Sequence, residues 1–163
     1  MKYIKTSLAI IAAFIVILVY LIIPNKIVVS KTIFVHQPGN LVVNAFMSIQ
    51  YWDKWMPYKK IEGHSFIFEN GKMEVGDAFL STAKCIYSID DVYVPVIFTS
   101  VDAGNDSSLI RYECNLYNRY ISPVTRIQNY FIAKKIQQQL IPIMSAAKKY
   151  YSSNATQDST LKK

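Results

Sequence analysis

The sequence predicts an α+β protein, in which a curved antiparallel sheet wraps around one long C-terminal helix and an N-terminal transmembrane helix precedes them. Three observations lead to this prediction. Residues 6–25 carry no charge, the middle of the chain alternates β-rich stretches with turn signals, and the last third repeats apolar residues at helical spacing. The chain has 163 residues, and its apolar first segment and polar last segment leave room for one domain, at residues 27–151.

The first element is the uncharged segment, in which residues 8–23 are apolar throughout. About 20 such residues match the hydrocarbon thickness of a bilayer at roughly 1.5 Å per residue. A cleaved secretory signal has a shorter apolar core and a small-x-small cleavage site, which Ile22-Ile23-Pro24-Asn25-Lys26 does not offer. We therefore predict an uncleaved anchor over residues 1–26, with a signal peptide as the alternative.

The short basic segment before the anchor favours an amino terminus inside the cell. This orientation places the domain on the extracytoplasmic side, as in a single-pass protein of a bacterial inner membrane. The net charge of +7 comes mainly from scattered lysines, and only three arginines are present. Such a distribution predicts no nucleic-acid partner; it suits either an anionic membrane surface or an ordinary solvated basic face.

The domain begins with a strand at residues 27–36, which is rich in β-branched and aromatic residues and ends at Gln37-Pro38-Gly39. Asn40 can cap a short helix that runs to about residue 48, because the apolar residues there recur at helical spacing. Residues 51–58, which contain both tryptophans, predict a second short helix or turn that Pro57 closes.

Five further strands form a predicted antiparallel meander, at residues 65–69, 72–75, 78–87, 92–101 and 109–117. Asn70-Gly71 between the first two is a strong hairpin signal. On the third strand Phe79, Ala83, Cys85 and Tyr87 share one predicted face, while Pro95 on the fourth suggests a sheet edge or a bulge.

The two cysteines belong to the third and fifth of these strands. A sequential meander places Cys85 and Cys114 two strand spacings apart, roughly 9.6 Å, which exceeds the Cα limit of about 7 Å for a disulfide. We therefore predict two buried free thiols.

The last element is a long helix, which Ser122-Pro123 begins as an N-cap followed by proline at the first helical position. Its predicted inner stripe is Ile132, Ala133, Ile136, Leu140, Ile143, Met144 and Ala147. Pro142 is expected to kink it, because the backbone bond to residue 138 is lost. Residues 152–163 are polar and are predicted to form a disordered tail.

Over residues 28–151 this order resembles the SRPBCC superfamily, the START and polyketide cyclase-like proteins with a helix-grip fold, and membrane-anchored bacterial members look most similar. The most specific stretch is Trp52-x-x-Trp55-x-Pro57-Tyr58, while His36-Gln37-Pro38 departs from the usual loop. The resemblance implies a cavity between the sheet and the C-terminal helix, with the tryptophan segment beside its mouth.

The candidate ligand-binding residues are large side chains of the inner sheet face, the tryptophan segment and the helix stripe. They are Trp52, Trp55, Phe79, Tyr87, Phe98, Tyr112, Ile136 and Leu140. The alternative for each is that it only fills the core, which we favour slightly for any single residue and more clearly for the two tryptophans. A membrane-interface role for the tryptophans is a third possibility.

No catalytic set or metal motif stands out. His36 and His64 lack a histidine, cysteine or carboxylate partner at metal-ligand spacing, and we expect no metal or other cofactor. The sequence therefore predicts a membrane-anchored binding protein for a lipid or another hydrophobic small molecule. The alternatives are a cyclase- or dehydratase-like enzyme, with a tyrosine or histidine as acid or base, and a non-catalytic protein-interaction module.

Overall fold

A seven-stranded antiparallel sheet packs against one long helix in the computed structural model, which describes residues 2–38, 42, 49–79, 81–118 and 122–160. The elements are helix α1 (Lys2–Ile22), strand β1 (Lys26–Val35), helix α2 (Ile49–Trp52), strands β2 (Lys60–Glu62), β3 (Ser65–Phe68), β4 (Gly71–Phe79), β5 (Thr82–Ile89), β6 (Val92–Gly104) and β7 (Ser107–Tyr117), and helix α3 (Pro123–Thr160). The strand order β1-β7-β6-β5-β4-β3-β2 confirms the predicted meander and brings β1 beside β7.

The region between β1 and β2 holds the predicted pair of short helices. The first falls on residues 40–48, which lie outside the described residues apart from the buried Val42. The second is α2, at the predicted place. Strand β2 was not predicted, because its three residues are too few to show an alternating pattern.

Turn residues of the predicted kinds connect the central strands. Asp90-Asp91 between β5 and β6, and Asn105-Asp106 between β6 and β7, all have positive φ, which Asp and Asn tolerate better than other side chains. In the β3–β4 hairpin, Gly71 is required because a Cβ atom there would collide with the backbone carbonyl oxygen of Ser88.

The prediction of one strand over residues 78–87 was wrong for the first part of this range. The chain reverses between Phe79, the last residue of β4, and Thr82, the first of β5, and these two residues pair with each other. An irregularity between Val75 and Ala78 also interrupts the alternation of β4. Phe79 is consequently 71% exposed at the sheet end, away from the inner face on which the sequence placed it.

Pro95 illustrates how a proline fits into a central strand. It pairs with Ile86 of β5, but the ladder between β6 and β7 begins only at Val96. Residues 92–95 therefore pair with β5 alone, and Pro95 lies in this local edge, in agreement with the predicted edge position.

The core lies between the inner sheet face and α3. Alternate residues of β5, β6 and β7 are buried, and so is every residue of the predicted helix stripe. Helix α3 continues through Pro142 and on to Thr160, although the sequence predicted disorder from residue 152. Each residue added to an existing helix gains a backbone hydrogen bond, and neither glycine nor proline interrupts residues 152–160.

The predicted free thiols are confirmed. Cys85 and Cys114 both pair with Val96, so strand β6 separates them, and both are buried and unbridged. Burial raises the pKa of each thiol from 9.0 to about 12.

These thiols predict a loss of stability at alkaline pH. Above pH 9 the unfolded chain releases thiol protons that the native chain retains up to about pH 12, so stability falls as the pH rises through this window. The slope is at most roughly 1.4 kcal/mol per pH unit for each thiol. Urea unfolding from pH 7 to 11 should show a shallower decline in Cys85→Ala than in the wild type. Identical slopes would contradict this prediction.

Candidate functional site

Six of the predicted ligand-binding residues form a packed cluster in the core. Trp52, Tyr87, Phe98, Tyr112, Ile136 and Leu140 are at most 2% exposed. The ring of Phe98 is the centre of the aromatic part, with centroids 5.2 Å from Trp52 and 4.9 Å from Tyr112, both edge-on. All six belong to one buried hydrophobic core cluster between the sheet and α3.

The two tryptophans have different packing partners. Trp52 is fully buried and stacks on Phe66 with centroids 6.2 Å apart, whereas Trp55 is 6% exposed and lies 6.4 Å from the ring of Tyr151 near the far end of α3. The tryptophan segment thus joins α2, the sheet and α3. A buried indole cannot reach lipid headgroups, so the geometry favours packing over the membrane-interface alternative.

Two buried hydroxyl groups lack hydrogen-bond partners among the described residues, Tyr87 Oη and Ser100 Oγ. Burial raises the pKa of Tyr87, which keeps its hydroxyl protonated at neutral pH. An unsatisfied buried hydroxyl costs free energy, and a polar atom of a bound molecule or a water would relieve that cost.

An open pocket of about 360 Å³ lies where the sheet meets the first turns of α3. Its apolar wall is Val92, Phe131 and Ile132, and its polar residues are Asp90, Thr125, Gln128, Asn129 and Lys135. Lys135 Nζ of α3 forms an ion pair with Asp90 in the β5–β6 turn. The volume of the pocket is within the range of about 300–1,000 Å³ typical of ligand sites. An apolar wall with a polar rim suits an amphipathic molecule.

A second groove, of about 280 Å³, runs along the other side of α3. Strand β1 contributes residues 27–30, and the helix contributes Tyr130, Ala133, Lys134 and Gln137. The groove and the pocket therefore flank the amino-terminal half of α3.

The segment between α1 and β1 is held by hydrogen bonds to the domain. Asn118 donates from its backbone N–H to the carbonyl of Asn25 at 2.7 Å and from Nδ2 to the carbonyl of Pro24 at 3.0 Å. Asn129 in turn donates to Asn118 Oδ1 at 2.8 Å. Ile23 is 7% exposed, so this connection is packed as well as hydrogen-bonded.

Arg126 of α3 completes this junction. It is 2% exposed, donates to the carbonyl of Tyr20 at 3.5 Å and to Asn25 Oδ1, and its guanidinium carbon lies 4.5 Å from the centre of the Tyr20 ring. The last carbonyls of a helix lack intrahelical partners and carry partial negative charge. Arg126 therefore caps the carboxyl end of α1 and ties that helix to the domain.

No metal-binding cluster of three or more His, Cys, Asp or Glu residues occurs in the described part of the chain. His36 Nδ1 lies 3.4 Å from Ser107 Oγ at the opposite end of the sheet, but that hydroxyl also donates to the carbonyl of Asn105 at 3.2 Å. Ser107 directly follows the Asn105-Asp106 turn, so this contact matches a turn-stabilising role better than an activated nucleophile.

A meander with a long helix across its inner face and an open pocket between them is the helix-grip class of α+β domain. No family model and no curated protein sequence matches the chain. Solved structures do match it, among them a START superfamily protein from Mycobacterium smegmatis, with TM-score 0.55, 13% identity, and coverage of 76% of this chain and 96% of that one.

Two further structures have the same fold. The Aha1 dimer from Colwellia psychrerythraea matches with TM-score 0.55 and 11% identity over 77% of this chain and 96% of its own. Norcoclaurine synthase from Thalictrum flavum matches with TM-score 0.56 and 15% identity over 77% and 94%. The chain therefore has a START-like fold, the fold that its sequence predicted.

Proposed function

We propose that this chain is a membrane-anchored protein that binds a lipid or another amphipathic small molecule between its sheet and its C-terminal helix. The observation that carries the proposal is the pocket of about 360 Å³ at the start of α3. The aromatic cluster is buried in the core and contributes no residue to the lining of this pocket.

The position of the pocket supports a membrane-derived ligand. Asn129 lines the pocket and also donates to Asn118, which holds the chain immediately after α1. The pocket thus lies close to the junction of α1 with the domain, within reach of a molecule that leaves the bilayer beside α1. The ion pair of Lys135 and Asp90 at its rim offers both charges to a polar headgroup.

The junction supports retention of α1 as an anchor over cleavage as a signal peptide. Residues 4–22 form a helix apolar and long enough to cross a bilayer. Cleavage near residue 22 would remove the Tyr20 carbonyl, which accepts a hydrogen bond from the buried Arg126. We propose the extracytoplasmic side for the domain, because Lys2 and Lys5 precede the apolar helix and lysines are enriched on the cytoplasmic side of such helices.

A protein-interaction module is the second candidate, and a surface feature favours it. On the outer face of the sheet Val28, Ile86 and Ile97 are 39–47% exposed, and Tyr93 is 72% exposed. One protein with the same fold, Aha1 from Colwellia psychrerythraea, is a dimer. A contiguous apolar patch on a sheet face can mark a contact with another protein.

Mass spectrometry of the full-length chain, extracted from membranes and exchanged into a single detergent, tests the proposal. We expect the mass of all 163 residues and, after organic extraction, a reproducible co-purified lipid. Gln128→Trp, which fills the pocket from an exposed position, should lose that lipid, whereas Gln138→Trp, an exposed change almost three turns further along the helix, should retain it.

Each result of this experiment has a distinct meaning. Equal lipid in both variants would remove the pocket as the binding site. A wild-type chain without lipid, even after incubation with membrane extract, would favour the interaction module. A chain shortened near residue 25 would show that α1 is a signal peptide.

A further inference from the structure

Exposed aromatic side chains lie on the outer sheet face immediately after α1. Lys26 begins β1 four residues after the end of α1, and it pairs with Tyr117 at the end of β7. Lys26 Nζ lies 5.6 Å from the centre of the Tyr117 ring. Tyr117 and Tyr93 line one shallow depression, and they are 63% and 72% exposed.

The first turns of α3 add apolar side chains at the same end of the domain. Val124 is 66% exposed and lies two residues from Arg126, whose guanidinium contacts Tyr20 of α1. Tyr130 and Phe131 are 46% and 56% exposed, and their rings contact each other edge-on at 5.9 Å. The solvent-exposed surface of a soluble protein rarely carries so many large apolar side chains close together.

We propose that these residues form a membrane-facing surface that docks the domain among the lipid headgroups of the bilayer that α1 spans. The surface consists of Lys26, Tyr93, Tyr117, Val124, Tyr130 and Phe131. Tyrosine and tryptophan are enriched at this depth because their rings are amphipathic, and a lysine there can extend its ammonium group to the phosphates. The inference rests on the membrane anchor of the proposed function.

The connection to α1 identifies a lipid surface as the occupant. Arg126, Asn118 and Asn129 hold residues 20–25 against the domain, so the surface stays beside the end of α1 instead of swinging on a free linker. Two acidic side chains near this surface form ion pairs, Asp90 with Lys135 and Glu113 with Arg111. Asp91 beside Asp90 is exposed. Phe131 also lines the pocket, so a docked surface would open the pocket toward the headgroups.

The opposite end of the sheet provides a matched control. Phe79 is 71% exposed, almost the same as Tyr93. It is level with Thr32 of β1 through the pairs Phe79–Thr82, Thr82–Thr99, Thr99–Arg111 and Arg111–Thr32. Thr32 lies six residues beyond Lys26, or about 20 Å along the strand.

Fluorescence quenching by brominated lipids tests the inference on the full-length chain in nanodiscs. Three variants each add one tryptophan: Tyr93→Trp on the proposed surface, Phe79→Trp at the far end and Phe14→Trp in the exposed middle of α1. The signal of the buried native Trp52 and Trp55 is subtracted with the wild type. We expect the added emission at positions 14 and 93 to be largely lost in brominated lipid, and the emission at position 79 to remain.

The variants separate the surface from the anchor. Quenching at position 14 with equal, weak effects at 93 and 79 would overturn the docking surface and leave the anchor in place. Equal, strong quenching at 93 and 79 would also overturn it, because the contact would not be confined to one end. Absence of quenching at position 14 would overturn the anchor and the surface together. None of these results depends on whether the pocket binds a lipid.

Discussion

Replacement of Trp52 by alanine is expected to lower the free energy of unfolding by about 3–5 kcal/mol, the usual cost of removing a fully buried tryptophan from a core. Trp52 has no exposed surface, and its ring contacts Phe66 and Phe98. Alanine leaves a cavity between two sheet strands and α2 that the surrounding backbone cannot close. Urea unfolding of the full-length chain in a mild detergent, followed by far-ultraviolet circular dichroism of the sheet, measures the loss.

The neighbouring Tyr51 provides the control for this experiment. Tyr51 is 43% exposed, and its described ring contact is with the Lys54 ammonium group at 4.9 Å. Tyr51→Ala should therefore change stability by only about 0.5 kcal/mol, as most surface substitutions do. A similar loss of unfolding free energy in both variants would contradict this prediction. It would show that stability depends on the local helix α2 and not on the burial of Trp52.

A charge introduced at Ile136 is expected to have an even larger effect. Ile136 is 1% exposed on the inner stripe of α3, and burial of an unpaired carboxylate costs several kcal/mol even after its pKa rises. Ile136→Asp should yield a chain that remains unfolded at 25 °C, or one that folds only at acidic pH, where the carboxyl group is protonated. Circular dichroism from pH 4 to 8 distinguishes these two outcomes.

The same substitution five residues along the helix isolates burial from helix propensity. Ile141 is 51% exposed on the outer side of α3, so Ile141→Asp should retain the sheet signal and near-normal stability. Folding of Ile136→Asp at neutral pH with normal stability would mean that the interface between the sheet and α3 contains water or an open cavity at this level. That result would restore Ile136 as a ligand contact.

Several parts of the fold could be predicted because they depend on local periodicity. The alternation of Ala83, Cys85 and Tyr87 correctly predicts the inner face of β5. The three- and four-residue spacing of the last segment correctly predicts the buried stripe of α3. Aspartates and asparagines with positive φ occur at the predicted turns. A backbone that alternates or turns every 3.6 residues imposes these patterns directly on the sequence.

Predictions failed where an irregularity breaks the period or where no pattern exists. The interruption of β4 between Val75 and Ala78 moved Phe79 out of the core, because one change of register reverses the direction of every later side chain. Strand β2 has three residues, too few to carry an alternating pattern. The open pocket also differs from the predicted lining, since residues such as Asp90 and Gln128 are distant in sequence and share no motif.

The sequence by itself determined the class of architecture, the apolar N-terminal helix, the inner face of the central strands and the separation of the two cysteines, since each follows from short-range spacing and strand order. Only the tertiary structure decided that the large inner side chains share one buried core, that an amphipathic pocket opens beside the first turns of α3, and that Arg126 caps α1. These features arise from contacts between segments as many as 106 residues apart, and such contacts leave no periodic signal in the chain.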